Sequence, residues 1–140
     1  SALDVTIQAQ ILQLLDELVR VGRNAVILIT HDLGIASEFC DRITVMYAGN
    51  AIEISSSEEI FEEPLHPYTK GLIDSIPIIG ASKVLSGIPG SVPDLIAPPP
   101  GCRFHPRCDF CFDKCCVELP DLKEVKPGHF VACHLYSDSF

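Results

Sequence analysis

Basic residues are scarce in this sequence. Its 140 residues hold 10 Lys and Arg against 19 Asp and Glu, a formal net charge of −9. Nucleic acid and anionic bilayers are both held through Lys and Arg, so this balance argues against either as a partner. Long apolar runs are missing as well. The best unbroken one is residues 25–29, far short of the ~20 residues that cross a bilayer. Any role at a membrane therefore runs through a partner. No internal repeat or low-complexity tract interrupts the chain.

What is present supports a folded chain. Hydrophobic residues make up 47 % and charged residues 21 %, which is enough for a core and too little charge for wholesale disorder. Seven cysteines occur, and six of them fall between Cys102 and Cys133. An odd number leaves one outside any closed disulfide set. In a reducing compartment such a cluster reads first as a metal site.

Residues 5–21 have helical periodicity. Ile7, Ile11, Leu14, Leu15 and Leu18 fall on one face and Gln8, Gln13, Asp16, Glu17 and Arg20 on the other. Asp4 suits the N-cap, and Gly22 suits the left-handed residue after the end. Residues 25–29 then read as a strand buried on both faces. Helix followed by buried strand predicts an α/β layer with a mostly parallel sheet. Thr30, His31 and Asp32 would stand at the carboxyl edge of that strand, where open α/β sheets bind ligands.

A short helix is expected over 33–39, then strands over 42–47 and 51–54 joined by Ala48-Gly49-Asn50. Ser57 with Glu58 and Glu59 predicts a helix cap, the helix reaching Phe61, and a further helix is expected over 68–75 after Pro64 and Pro67. From Ile76 onward prolines break any long element, which places a boundary near Gly80. The remainder reads as loop-rich and short of periodic apolar residues, so a metal staple would supply what its core lacks.

Four strings carry a family resemblance. Ser1-Ala2-Leu3-Asp4 and Thr30-His31-Asp32, separated by one amphipathic helix and one apolar run, resemble the D-loop and switch-histidine loop of ABC-type ATPases. The resemblance makes Asp4 a residue of the ATPase dimer seam and His31 the sensor of the γ-phosphate, with ATP and Mg2+ as cofactors. A histidine there has a task, because phosphoryl transfer is largely positioning and charge stabilisation. Taken singly, each string is equally a helix cap or a loop. No glycine-rich phosphate loop, LSGGQ-like signature or Walker B strand is present in these residues. The expectation is a carboxy-terminal part of such a subunit, inactive as an ATPase alone.

Leu65-His66-Pro67-Tyr68-Thr69-Lys70, followed by Leu72-Ile73 and Ile76-Pro77, is the more specific string. It is similar to the His-Pro-Tyr-Thr signature that follows the ATPase domain in oligopeptide, dipeptide and nickel importers. Its residues read as scaffold: Pro67 opens a helix and Tyr68 offers a ring with a polar tip.

Gly101-Cys102-Arg103-Phe104-His105-Pro106-Arg107-Cys108, with Cys115 and Cys133, resembles the cysteine tail of the same importers. The resemblance implies Cys102, Cys108, Cys115 and Cys133 as ligands of a [4Fe–4S] cluster; zinc is the alternative, since four thiolates suit both. Cys111 and Cys116 depart from the pattern. Cys108-Asp109-Phe110-Cys111 is a C-x-x-C that by itself suggests zinc, and His105, His129 and His134 are further candidate ligands. Arg103 and Arg107 either offset cluster charge or are surface residues. Cys40 reads as a small buried hydrophobe.

The chain is thus expected to hold the end of a P-loop ABC ATPase domain (residues 1–54), a helical linker (55–80) and a cysteine-rich metal-binding module (81–140). The resemblance implies work at the cytoplasmic face of the cell membrane with a second ATP-binding subunit, two transmembrane permease subunits and, indirectly, a substrate-binding protein. Peptides are the expected cargo and nickel the alternative. Other readings are a metal-binding regulatory or docking module, and a stand-alone redox protein that shares short strings with ABC ATPases. A parallel sheet lacking its first strands would expose an edge, so this piece is also expected to form homo-oligomers.

Overall fold

The computed structural model describes residues 5–22, 24–77 and 87–137. Asp4, the expected cap and seam residue, lies outside the described residues. The chain divides into two compact units, Ser1–Cys40 and Asp41–Phe140.

The first unit holds helix α1 (Val5–Gly22) and helix α2 (Leu33–Phe39). Gly22 closes α1 as a helical residue instead of following it in the left-handed region. Ile7, Ile11, Leu14 and Leu18 share the expected face and remain exposed. Residues 25–29 do not form the expected strand. A strand exists only by exchanging backbone hydrogen bonds with a neighbour, and no described segment pairs with these residues. Ile27 and Ile29 are accordingly 92 % and 94 % exposed. The parallel sheet that this strand would have joined is not found among the described residues.

The second unit is built on a four-stranded antiparallel sheet in the order β1-β2-β4-β3. Its strands are β1 (Arg42–Tyr47), β2 (Asn50–Ser56), β3 (Lys123–Lys126) and β4 (His129–Val131). Strand β1 alternates cleanly, with Ile43, Val45 and Tyr47 buried and Arg42, Thr44 and Met46 exposed, as expected of a sheet with one covered face. The β1–β2 hairpin turns on two residues, since Tyr47 pairs with Asn50. Ala48 and Gly49 both have positive φ, 47° and 84°, the conformation whose twist matches the flanking strands. Alanine is an uncommon choice there; the Arg103 guanidinium donates to the Ala48 carbonyl and holds the turn.

Strand β2 does not alternate. Val45 pairs with Glu53 and Met46 with Ala51, so Ile52 is an extra residue opposite the β1 ladder. Such a bulge breaks the two-residue period and re-aims the neighbouring side chain. Ile52 and Glu53 are therefore both buried although adjacent. The freed Ile52 carbonyl accepts from Ala132 N–H at 2.8 Å, which helps tie β2 to the end of β4.

Between β2 and β3 run α3 (Ser57–Glu62), α4 (Pro67–Asp74), a 3-10 turn (His105–Arg107) and α5 (Asp113–Val117). The cap of α3 is Ser56, one residue before the expected Ser57; its hydroxyl accepts from Glu59 N–H at 3.3 Å. Ile60 from α3 is fully buried with Val131 from β4. Strands β3 and β4 were not expected in the loop-rich tail. They are four and three residues long, and Lys-Glu-Val-Lys carries no apolar alternation to betray a strand. The sheet thus joins residues on both sides of the boundary expected near Gly80.

Candidate functional site

Three regions bear on function: the His31 loop, the His-Pro-Tyr-Thr segment and the cysteine tail. His31 is exposed on the bend just before α2. Asp32 caps α2, its Oδ1 accepting from Gly34 N–H at 2.9 Å and Ile35 N–H at 3.2 Å. Thr30 Oγ1 accepts from Asp32 N–H at 3.0 Å. Thr30 and Asp32 are thus occupied in shaping the loop, and His31 between them is presented to solvent.

The His-Pro-Tyr-Thr segment is organised by a residue that sequence reasoning missed. Glu53 is 0 % exposed. Its Oε1 accepts from Leu65 N–H at 2.7 Å and its Oε2 from His66 N–H at 3.0 Å. His129 Nε2 lies 2.8 Å from Oε1. A buried carboxylate is costly unless its lone pairs are met, and here one carboxylate meets three groups from two distant segments. The available signal was a Glu set among isoleucines in Ala51-Ile52-Glu53-Ile54; without the bulge its side would be misassigned. Among the described residues, His129 Nδ1 and Thr69 Oγ1 are buried and have no hydrogen-bond partner.

His66 caps α4: its Nδ1 accepts from Tyr68 N–H at 3.0 Å, and Pro67 occupies the first helical turn, where a missing N–H is harmless. Tyr68 packs against Tyr47 and Phe104 with ring centroids 4.6 and 5.4 Å apart. Tyr47 and Phe104 meet edge to face at 5.1 Å. These residues serve as scaffold, as expected. Phe104 brings the cysteine motif onto the same aromatic cluster.

The cysteine tail is shaped by short-range backbone bonds. Cys102 N–H donates to Cys115 O at 2.9 Å, which sets the first motif cysteine beside α5. That approach requires Gly101: its φ is 67°, and an added Cβ would stand 2.4 Å from Cys115 O. The 3-10 turn then leads to Cys108, whose carbonyl accepts from Cys111 N–H at 3.2 Å. Cys133 enters a closing 3-10 turn, His134–Tyr136.

Three of the four expected ligands, Cys102, Cys108 and Cys133, have thiols raised by burial and by neighbouring cysteines. The Cys133 thiol is pushed up to about 11, first by burial and then by the charges of Cys102, Cys108 and Cys115. Cys102 is pushed up by burial and, further, by Cys115 and Cys108; Cys108 by burial and, further, by Cys115. None of the seven cysteines is in a disulfide. Among the described residues, however, no three or more His, Cys, Asp and Glu side chains are gathered closely enough to hold a metal ion.

The other candidate ligands have other tasks. His105 Nδ1 lies 2.9 Å from Cys102 O, and His134 uses both nitrogens, 2.8 Å from Glu118 O and 3.2 Å from Ser137 Oγ. Arg107 donates to Pro89 O, Ile88 O and Tyr47 Oη, and Arg103 to Ala48 O. Neither arginine is a loose surface residue; each fastens a loop. Cys40 is half-buried.

Comparison with known proteins follows the His-Pro-Tyr-Thr segment closely. Residues 52–115 match the family described as oligopeptide/dipeptide transporter, C-terminal region. Over this segment, less than half of the chain, the sequence resembles that family. The chain is 50 % identical over 139 residues to the oligopeptide transport ATP-binding protein AppD of Bacillus subtilis, covering 99 % of this chain and 42 % of that protein. It is 48 % identical over 140 residues to the dipeptide transport ATP-binding protein DppD of Caldanaerobacter subterraneus, covering 99 % and 43 %. It is 45 % identical over 141 residues to the oligopeptide transport ATP-binding protein OppD of Haemophilus influenzae, covering 100 % and 43 %. The chain therefore spans less than half the length of these curated relatives.

Two predictions follow from the clamp and the cap. Glu53→Ala strips acceptors from two buried N–H groups and from His129. We expect a loss on the order of 3–5 kcal/mol in urea unfolding; a loss below about 1 kcal/mol would show that the carboxylate is dispensable. Burial pushes His66 from 6.5 down to about 4, against the opposing pull of Glu53. The unfolded chain thus takes up a proton before the folded one, so stability falls as pH drops from about 6.5 to about 4 and the His66 contribution is level outside that window. In His66→Asn, which keeps a capping acceptor, this part of the slope should vanish from a pH series of melting curves.

Proposed function

We propose that the chain is the carboxy-terminal part of an ATP-binding subunit that energises import of oligopeptides or dipeptides across the cell membrane. The carrying observation is the match of residues 52–115 to the transporter C-terminal region, continued across nearly the whole chain by ATP-binding relatives. In this reading residues 1–54 close the nucleotide-binding domain, 55–80 form the linker and 81–140 the cysteine module, with β2 where they meet. The whole protein binds ATP with Mg2+ and is an ATPase. It pairs with a second ATP-binding subunit and drives two transmembrane permease subunits, fed by a substrate-binding protein, from the cytoplasmic face. No described helix is long and apolar enough to cross a membrane, which suits a subunit that acts through membrane partners. Nickel is the alternative cargo.

Asp4 belongs to the seam between ATP-binding subunits and His31 senses the γ-phosphate. The exposed position of His31, on a loop set by Thr30 and Asp32, supports that role. In the whole protein, His31→Ala should lower ATP turnover on the order of 10²-fold, the usual effect of deleting one group that stabilises transition-state charge, while nucleotide binding persists. Turnover within twofold of the parent would remove His31 from the reaction.

A second reading concerns the tail. The influence of Cys102, Cys108 and Cys115 on the Cys133 thiol supports reading the four as one ligand set. By donor type four thiolates suit a [4Fe–4S] cluster, with zinc as the alternative, although the described side chains are not gathered into a metal-holding group. Cys102, Cys108, Cys115 and Cys133 would hold the metal, whose positive charge would favour their thiolate forms. The remaining residues here shape the backbone: Gly101 admits the Cys102–Cys115 approach, and His105 and His134 hold carbonyls. Anaerobic purification followed by iron, sulfide and zinc determination tests this. Iron with sulfide, lost in Cys133→Ser, is the expected result; one zinc per chain selects the alternative, and neither metal in the parent protein removes the site.

A further inference from the structure

Cys111 and Cys116 stand outside the ligand pattern and have no part in the functions proposed above. Cys111 is exposed in the loop before α5, and Cys116 is half-buried on α5 itself. Their sulfurs are 3.9 Å apart, close to van der Waals contact. The backbone at Phe112 sets this arrangement. Both thiols face the same carbonyl, Phe112 O, at 3.9 and 4.0 Å, and that carbonyl also accepts from Cys115 N–H at 2.8 Å. The sequence alone pairs Cys111 with Cys108 in a C-x-x-C; the sulfur contact is instead with Cys116.

We propose that Cys111 and Cys116 form a reversible dithiol–disulfide pair that exchanges with small disulfides in solution. A bond of about 2.0 Å requires the sulfurs to close by roughly 2 Å, which a side-chain rotation at an exposed loop cysteine allows. Cys111, the accessible thiol, attacks one sulfur of a low-molecular-weight disulfide RSSR. That S–S bond breaks, a mixed disulfide forms at Cys111, and one RSH leaves with the proton Cys111 gave up. Cys116 then attacks Cys111 sulfur, the mixed disulfide breaks, the Cys111–Cys116 bond forms, and the second RSH leaves with the proton of Cys116. Two protein thiols are oxidised and one RSSR is reduced to two RSH, so atoms and electrons balance. The closed ring spans residues 111–116 and fixes the turn that carries the Cys115 backbone.

Cys115 is not the partner of Cys111 in this scheme. It is buried, and the sulfur that Cys111 meets is that of Cys116. The pair therefore oxidises without drawing on the four-cysteine set, and its test is independent of whether that set holds metal.

The whole protein is equilibrated with glutathione disulfide, the remaining thiols are blocked, and peptides are mapped without reduction. The expected product is a Cys111–Cys116 crosslink that dithiothreitol removes. Cys116→Ser should instead retain glutathione on Cys111, and Cys111→Ser should lose both crosslink and adduct from this peptide. Metal content should stay at the parent level in both variants. Two thiols that remain fully blockable after oxidation, or a crosslink joining Cys111 to Cys108 or Cys115, would overturn the proposal.

Discussion

The Glu53 carboxylate is the constraint around which the second unit is arranged. It is wholly buried, and its environment must supply the hydrogen bonds that water would have given it. Leu65 N–H, His66 N–H and His129 Nε2 do so at 2.7–3.0 Å. Each partner fixes a different piece of chain. The two amides set the entry to α4, where His66 then turns to cap the helix. His129 sets β4 beside β2, whose pairing covers Glu53 with Val131 and Ile54 with Phe130. Glu53 pairs with the buried Val45 as Ser55 pairs with the buried Ile43, so the carboxylate lies on the covered face, and the bulge at Ile52 sets a second buried side chain beside it.

Much of this was legible where pattern and local chemistry agree. Helix α2, strand β1 and helix α4 follow their apolar spacing, the Gly49 turn and the Pro67 start closely. The His-Pro-Tyr-Thr string pointed to the transporter family, and the match to residues 52–115 bears that out. What escaped depends on distant partners. Residues 25–29 have strand composition, but composition cannot provide a neighbour to pair with. Strands β3 and β4 are the converse: Lys123-Glu124-Val125-Lys126 has little strand character, and pairing with β4 makes it one. Glu53 was invisible because only a bulge explains a buried carboxylate next to a buried isoleucine.

The cysteine tail shows how far a family resemblance carries and where it stops. The resemblance implied Cys102, Cys108, Cys115 and Cys133 as one set, and the Cys133 thiol is raised by burial and then by the other three. It did not foresee that Arg103 and Arg107 are spent on loop carbonyls, the former steadying the Ala48–Gly49 turn and the latter the segment at Ile88 and Pro89. Nor did it foresee that His105 and His134 already answer to backbone oxygens. The motif residues between the cysteines are therefore the mortar of the tail. Phe104 is the clearest case, a motif residue buried against Tyr47 and Tyr68.

Strand β2 is shared, with the hairpin on one edge and the tail on the other. This makes the carboxy-terminal region a poor candidate for modular exchange. A chimera that takes its tail from a relative and its hairpin from this chain must match a buried histidine to a buried glutamate, and the unpaired Ile52 carbonyl to the amide after β4. Recombination near Gly80 cuts through that partnership, whereas a crossover near Asp41, ahead of β1, carries both halves together. Selection on such proteins should therefore keep the hairpin and the distant last strands as a single heritable block, although some seventy residues of chain separate them.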